Sequence, residues 1–173
     1  YQKKFKNFFL YTGNFYPHKN VESLIDAFKL IKGDYQLVLI APDDYFTRRL
    51  EKNLLKKSTD RIFILKNIPR KDLIWFYKNC LGLIHPSLSE GFGLTLFEAA
   101  YFKKPIIASK IDVFEELWGE NYLSFNPKDP KDIRSKIEFF LKKRPKFSYK
   151  KILEKYSFEK MTHKTLKLYH NIV

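Results

Sequence analysis

The amino-acid sequence predicts a doubly wound α/β domain, a parallel sheet of about six strands with helices on both faces. Three observations carry that expectation. Apolar runs and amphipathic patterns alternate about six times along the 173 residues, which is the rhythm of βαβ units. Runs such as "YQLVLIAP" are solidly apolar instead of alternating, as strands buried on both faces are. No pair of neighbouring runs carries a hairpin turn signal.

Taken in order, "NFFLYTG" is a β-rich run closed by Gly13. After the loop "NFYPHK", Asn20 is placed to cap a helix that turns Val21, Leu24, Ile25, Phe28 and Ile31 inward, and Gly33 ends it. "YQLVLIAP" is the second strand, stopped by Pro42. "DYFTRRLEKNLLKKS" is a basic amphipathic helix, and "RIFILKN" the third strand. Pro69 opens "PRKDLIWFYKNC" at a first-turn position that suits proline, with Leu73 and Phe76 or Tyr77 inward. "LGLIHPS" is the fourth strand, and "LTLFEAAYF" is the helix after it. "PIIAS" is the fifth strand, followed by a short "VFEEL" helix and a weak sixth strand, "NYLSF". "DPKDIRSKIEFFLKK" and "SFEKMTHKTLKLYHNI" close the chain as helices.

Composition narrows the function classes. Thirty aromatic residues, 17 Phe, 11 Tyr and 2 Trp, are far too many for a disordered chain. The longest apolar runs are too short to span a bilayer. The chain opens on Tyr1, so "YQKKFK" is read as a linker remnant, residues 1–7, ahead of one domain over 8–173. The single cysteine, Cys80, makes no intrachain disulfide and no cysteine-based zinc cage, which points to a reducing compartment. It is expected to be a buried, inert thiol. The net charge of +14 invites an anionic partner. The lysines, however, fall mostly on the polar faces of helical patterns, where a solvated surface accounts for them. No groove-reading motif accompanies them, so nucleic acid is not expected as a partner.

In such sheets ligands bind beyond the carboxyl ends of the strands, and two loops there stand out, Gly13 to Lys19 and Pro86 to Gly93. The second lies in "SEGFGLTLFE", which reads as a glycine turn into a helix start, a place where unpaired N–H groups and the helix dipole favour a phosphate. "GFGLTL" has Leu96 where the third glycine of a dinucleotide fingerprint belongs, and it follows the fourth strand, so an NAD site is not expected. Glu90 and Glu98 flank the turn. Carboxylates accept hydrogen bonds from vicinal hydroxyls, so each could hold a sugar ring on one side of a diphosphate resting on Gly91 to Leu94. Lys19, in the other loop, would then supply the positive charge.

"SEGFGLTLFEA", with seven residues between Glu90 and Glu98, resembles the hallmark of the retaining glycosyltransferases of family 4, of the two-domain GT-B architecture. "YTGNFYPHKNVESLIDAF", "FLKNIPRKDLIWFYKNC", "KKPIIASKIDVFEEL", "NYLSFNPKDPKDI" and "YSFEKMTHKTLKLY" are similar to further stations of the same family, in order. The resemblance covers nearly the whole chain and corresponds to the carboxyl-terminal, Rossmann-like, donor-binding half. It implies transfer of a sugar from a nucleotide-sugar to a glycan or lipid-linked acceptor, with retention at the anomeric carbon and without a metal. The acceptor would be held by an amino-terminal domain outside this chain. No Asp-x-Asp triplet is present, in keeping with that.

The resemblance also assigns roles. Glu90 would face the donor sugar near the reacting centre, and Lys19 would neutralise the departing diphosphate. Glu98 would bind the ribose hydroxyls. Gly13 and Asn14 belong to the pyrophosphate loop; Gly91, Phe92 and Gly93 would offer N–H groups. Leu94 would pack on the nucleoside, and Asn67 and Ile68 would lie near the base. Beyond the nucleotide-sugar itself, no cofactor is implied. The expected setting is cytoplasmic, with peripheral contact at an anionic inner membrane face as a refinement. The chain departs from the family in three places: Asn14 stands where many relatives carry arginine, Thr95 where many carry proline, and Lys103 or Lys104 where many carry glycine. The missing arginine and the high charge leave a second reading, a non-catalytic GT-B-like scaffold for an acidic partner.

Overall fold

The computed structural model describes residues 1–55 and 60–171. Six parallel strands form one sheet in the order β3-β2-β1-β4-β5-β6. They are β1 (Phe8–Thr12), β2 (Gln36–Ala41), β3 (Ile62–Lys66), β4 (Leu83–His85), β5 (Ile106–Ser109) and β6 (Leu123–Phe125). The helices between them are α1 (Val21–Lys29), α2 (Tyr45–Leu55), α3 (Arg70–Asn79), α4 (Leu94–Tyr101) and α5 (Asp112–Trp118). After β6 come α6 (Pro130–Lys143), α7 (Lys150–Lys155) and α8 (Phe158–His170). The part of the second helix expected beyond Leu55, and the last expected helical residue, Ile172, lie outside the described residues.

Why the strands read as solid apolar runs is now plain. Successive side chains of one strand enter two different cores, because strand residues alternate between faces. Phe8, Leu10, Val38, Ile40, Leu83 and Ile106 join one cluster, with Phe76, Leu96, Phe114 and Trp118 from the helices. Phe9, Tyr11, Leu37, Leu39, Ile84 and Ile107 join the other, with Leu24, Phe28, Ile133 and Phe140. Phe9 meets Phe28 and Phe140 edge-on, with ring centroids 6.2 and 5.7 Å apart. Each phenylalanine so buried contributes about 1.5–3 kcal/mol.

Several local expectations shift. Helix α1 ends at Lys29, so Ile31 is buried from the following turn and not from the helix face. Asn20 stands at the head of α1 but in a left-handed conformation, φ 54°, and its side chain makes no cap. The expected loop before it contains a 3-10 turn, Pro17–Lys19. Helix α7 was not expected. Six residues are too few to show a helical period, and it is held by Ile152 and Leu153 packing on the first core. Residues 1–7, read as a linker remnant, lie against the domain: Phe5 is buried, with its ring 5.2 Å from Phe63 and 5.5 Å from Phe76.

Cys80 is buried, and burial pushes its thiol up to about 12, which keeps it protonated. Lys103, just past the end of α4, has φ 55°, a conformation that suits glycine; its charge there complements the helix carboxyl end. Lys104 donates to the Cys80 carbonyl at 3.1 Å. Helix α8 buries none of its residues in this chain. No helix among the described residues is long and apolar enough to cross a membrane.

Candidate functional site

Strand β1 pairs with β2 on one side and β4 on the other. The chain winds outward from β1 through β2 to β3, then crosses back to β4, so the loops leaving β1 and β4 part and leave a crevice between them. Gly13, Asn14 and Lys19 line it from the β1 side, and Glu90, Phe92, Gly93 and Leu94 from the β4 side, around a hollow of about 310 Å³.

The two loops are tied together. Asn20 Nδ2 donates to the Pro86 carbonyl at 3.1 Å and to the Pro127 carbonyl at 2.7 Å, while its Oδ1 accepts from Ser23 Oγ at 2.6 Å. The Leu88 N–H donates to the His18 carbonyl at 2.7 Å. The left-handed backbone of Asn20 is what turns its amide outward from α1, which explains why it staples loops instead of capping a helix. Lys19 is thereby carried to the β4 loop.

There it meets Glu90. Lys19 Nζ donates to Glu90 Oε1 at 2.6 Å, Ser87 Oγ donates to the same oxygen at 2.8 Å, and His85 Nε2 lies 2.7 Å from it. Burial by itself would raise the Glu90 pKa. The hydrogen bonds from His85, Lys19 and Ser87 outweigh it and hold the carboxyl down at about 2. His85 is almost wholly buried, and that desolvation lowers its pKa below the ordinary 6.5 despite the carboxylate beside it. At neutral pH Glu90 is therefore a carboxylate and His85 a neutral imidazole.

A pH dependence follows with a definite sign. A carboxyl whose pKa is lower in the fold stabilises the fold above its unfolded value, near 4.5, and that stability is lost as pH falls toward about 2. Glu90→Gln is thus expected to unfold at lower urea than the wild type at pH 6, with the gap closing as pH approaches 3. Urea titrations of both proteins across that range measure it; a constant gap would refute the ionised, hydrogen-bonded Glu90.

Helix α4 starts at Leu94, as expected, behind Gly93 in a left-handed conformation, φ 79°. No side chain among the described residues caps its amino end; the Leu96 N–H donates to the Gly93 carbonyl at 2.9 Å, which leaves the N–H groups ahead of it for a ligand. Phe92 and Leu94 are exposed at the crevice, and the Phe92 ring stacks on Phe97 at 4.6 Å. Asn14 carries an amide whose Oδ1 is buried without a hydrogen-bond partner among the described residues. The Asn14 carbonyl accepts from the Tyr11 hydroxyl at 2.7 Å.

Glu98 and Ile68 stand apart from this hollow. Glu98 Oε2 accepts from the Tyr77 hydroxyl at 2.5 Å, and that hydroxyl is 2.7 Å from Thr12 Oγ1. The chain Thr12–Tyr77–Glu98 thus links the end of β1 to α3 and α4. Ile68 follows β3 and packs against the first core, while Asn67 Oδ1 accepts from the Asp43 N–H at 3.1 Å. The sequence marks Tyr77 only as a core candidate, gives His85 and Ser87 no role, and predicts a cap at Asn20. Ser87 lies three residues before Glu90 and His85 five before it, a short-range signal inside "HPSLSE". Tyr77 gives no such signal, since it joins Glu98 only through packing of α3 beside α4.

Comparison with known proteins places this arrangement. Residues 2–159 match the family model described as glycosyl transferases group 1. The chain is 32% identical over 139 residues to the O-antigen chain mannosyltransferase RfbU of Salmonella typhimurium, covering 79% of this chain and 39% of that protein. Among solved structures, a glycosyltransferase from Rickettsia africae superposes with a TM-score of 0.83 at 22% identity, over 96% of this chain and 48% of its own. The C-terminal domain of a glycosyl transferase group 1 family protein (LpcC) from Francisella tularensis superposes at 0.69, with 24% identity, over 83% of this chain and 80% of its own. The chain thus spans well under two thirds of the curated relative, and four fifths of a solved relative that is itself a C-terminal domain.

Proposed function

We propose, because this chain belongs to the group 1 glycosyl transferases, that it is the donor-binding domain of an enzyme that moves a sugar from a nucleotide-sugar to a glycan or lipid-linked acceptor. What carries the reading is the meeting of Lys19 and Glu90 at the sheet's switch point, beside the uncapped amino end of α4. When the bond between the anomeric carbon and the diphosphate breaks, negative charge grows on the diphosphate. Lys19 and the first N–H groups of α4 are preorganised donors for that charge. This division needs no metal at the diphosphate.

Glu90, held near a pKa of about 2, is ionised at working pH and is too weak a base to take up a proton there. Its role is to accept hydrogen bonds from the donor sugar and to lie as a fixed negative charge near the anomeric carbon as that carbon turns positive. The spacing of Glu90 and Glu98 is that of the retaining family, so the configuration at that carbon is retained. Glu98, oriented by Tyr77, accepts the ribose hydroxyls, with Leu94 against the nucleoside and Asn67 and Ile68 toward the base. The acceptor reaches the crevice from a further domain, and the basic helices contribute contact with an anionic membrane face.

Calorimetric titration of this chain with UDP-, GDP- and ADP-linked sugars tests the donor claim, mannosyl donors first because RfbU is a mannosyltransferase. Saturable binding of one class is expected, weakened about tenfold or more by Glu98→Ala, the loss of charge-assisted hydrogen bonds. A folded sample that takes up none of them would overturn the reading.

A further inference from the structure

The crevice contains a relay that the transfer reading leaves unused. His85, the last residue of β4, has both ring nitrogens engaged: Nε2 lies 2.7 Å from Glu90 Oε1 and 3.1 Å from Ser87 Oγ, and Nδ1 lies 3.2 Å from Thr95 Oγ1. Its ring is pinned by Tyr11, stacked at 5.9 Å, and by Phe114, edge-on at 5.7 Å. An ionised carboxylate accepts and cannot donate, so the proton of a neutral imidazole must sit on Nε2. Nδ1 is then an acceptor, and the Thr95 hydroxyl is its donor.

We propose that His85 and Thr95 are positioning residues: Thr95 donates to Nδ1 and holds the ring, and the Nε2–H that faces Glu90, with Ser87, holds Glu90 Oε1 so that Oε2 is the acceptor left for the donor sugar. Three donors converge on Oε1, at 2.6, 2.7 and 2.8 Å, while Oε2 has no hydrogen-bond partner among the described residues. The three donors differ in kind. Lys19 is the charged one, and an incoming diphosphate competes for it. His85 and Ser87 are neutral and lie in the strand end and the tight turn after it, so they keep Glu90 aimed when Lys19 turns to the phosphate. A second group that orients the imidazole follows the same logic as the outer partners of metal-binding and catalytic histidines. It also gives Thr95 a task that proline, which has no hydroxyl, could not perform.

The inference rests on the donor-site reading, and its test separates the two. Imidazole ¹⁵N shifts of the ligand-free chain at pH 7 should show His85 protonated on Nε2 and bare at Nδ1. In Thr95→Val the Nδ1 shift should move toward that of an acceptor without a hydrogen bond, with Nε2 still protonated. In the full-length protein that carries this chain, Thr95→Val should lower kcat for sugar transfer about tenfold while the donor KM stays within about twofold, since only the aim of Glu90 changes. His85→Gln, whose amide still donates to Oε1, should retain more turnover than His85→Leu. Should His85→Leu fail to fold, the near-isosteric Thr95→Val decides alone. A His85 protonated on Nδ1, or a Thr95→Val protein with an unchanged Nδ1 shift or an unchanged kcat, overturns the proposal. A wild type that transfers from no nucleotide-sugar overturns the donor-site reading instead, and the imidazole spectrum still decides whether Thr95 holds the ring.

Discussion

Lys19→Ala is expected to lower kcat/KM for sugar transfer by about 10²–10³-fold in the full-length protein, the usual cost of removing one preorganised donor from a developing anion. Lys19 is the one lysine or arginine among the residues described as lining the crevice. The neighbouring position that could have shared the task is Asn14, which carries no charge. In the free protein Lys19 is paired with Glu90 at 2.6 Å with both side chains largely buried, so the charge is already desolvated and aimed before a donor arrives. Removing it leaves Glu90 with two neutral donors and the diphosphate with the helix end alone. Lys19→Arg should recover part of the loss, limited by a wider head that must fit beside Ser87. Steady-state kinetics of the three proteins measure this; a loss under tenfold for Lys19→Ala would mean the countercharge comes from elsewhere.

Gly93→Ala is expected to destabilise the fold by about 2–5 kcal/mol, from a left-handed backbone that costs a side chain about 1–2 kcal/mol and overpacking that costs about 1–3 kcal/mol. A Cβ there would stand 2.6 Å from Phe114 Cε1, and Phe114 is fully buried and cannot retreat. Gly91 makes the control. A Cβ at Gly91 meets no atom within 4 Å, so Gly91→Ala should change stability by no more than about 0.5 kcal/mol. Its Cβ would instead occupy open space, and under the proposed donor reading Gly91→Ala should weaken nucleotide-sugar binding roughly tenfold, about 1.4 kcal/mol. Urea unfolding and calorimetry of both variants separate the glycine the core needs from the glycine the ligand needs. Equal destabilisation by the two would refute the distinction.

The sheet was legible because burial on both faces leaves a mark that composition alone carries: "YQLVLIAP" and "PIIAS" admit no polar face. All six strands and the helices from α1 to α6 are where the periodicity put them, to within a few residues at the ends. Helix α7 left no such mark, since six residues span less than two turns and its hold on the fold is the packing of Ile152 and Leu153 on the first core. Asn20 was misread for a physical reason. An asparagine before an apolar helical pattern is a good cap in a β-region backbone, and only the left-handed turn set by Pro17–Lys19 sends its amide to Pro86 and Pro127 instead.

By itself the sequence determined the strand order's raw material, the doubly wound class, the glycine turn into α4 and the two loops in which Lys19, Glu90 and Glu98 reside. These follow from periodicity and local backbone chemistry, which act within a few residues of one another. Only the tertiary structure decided that Lys19 and Glu90 touch across 71 positions of chain, that His85 lies against Glu90 with Thr95 on the far side of its ring, and that Glu98 accepts from Tyr77. Those contacts arise where β1 and β4 lie side by side and the crossover from β3 brings their loops together. A linear pattern does not encode that adjacency; the packing of the sheet creates it.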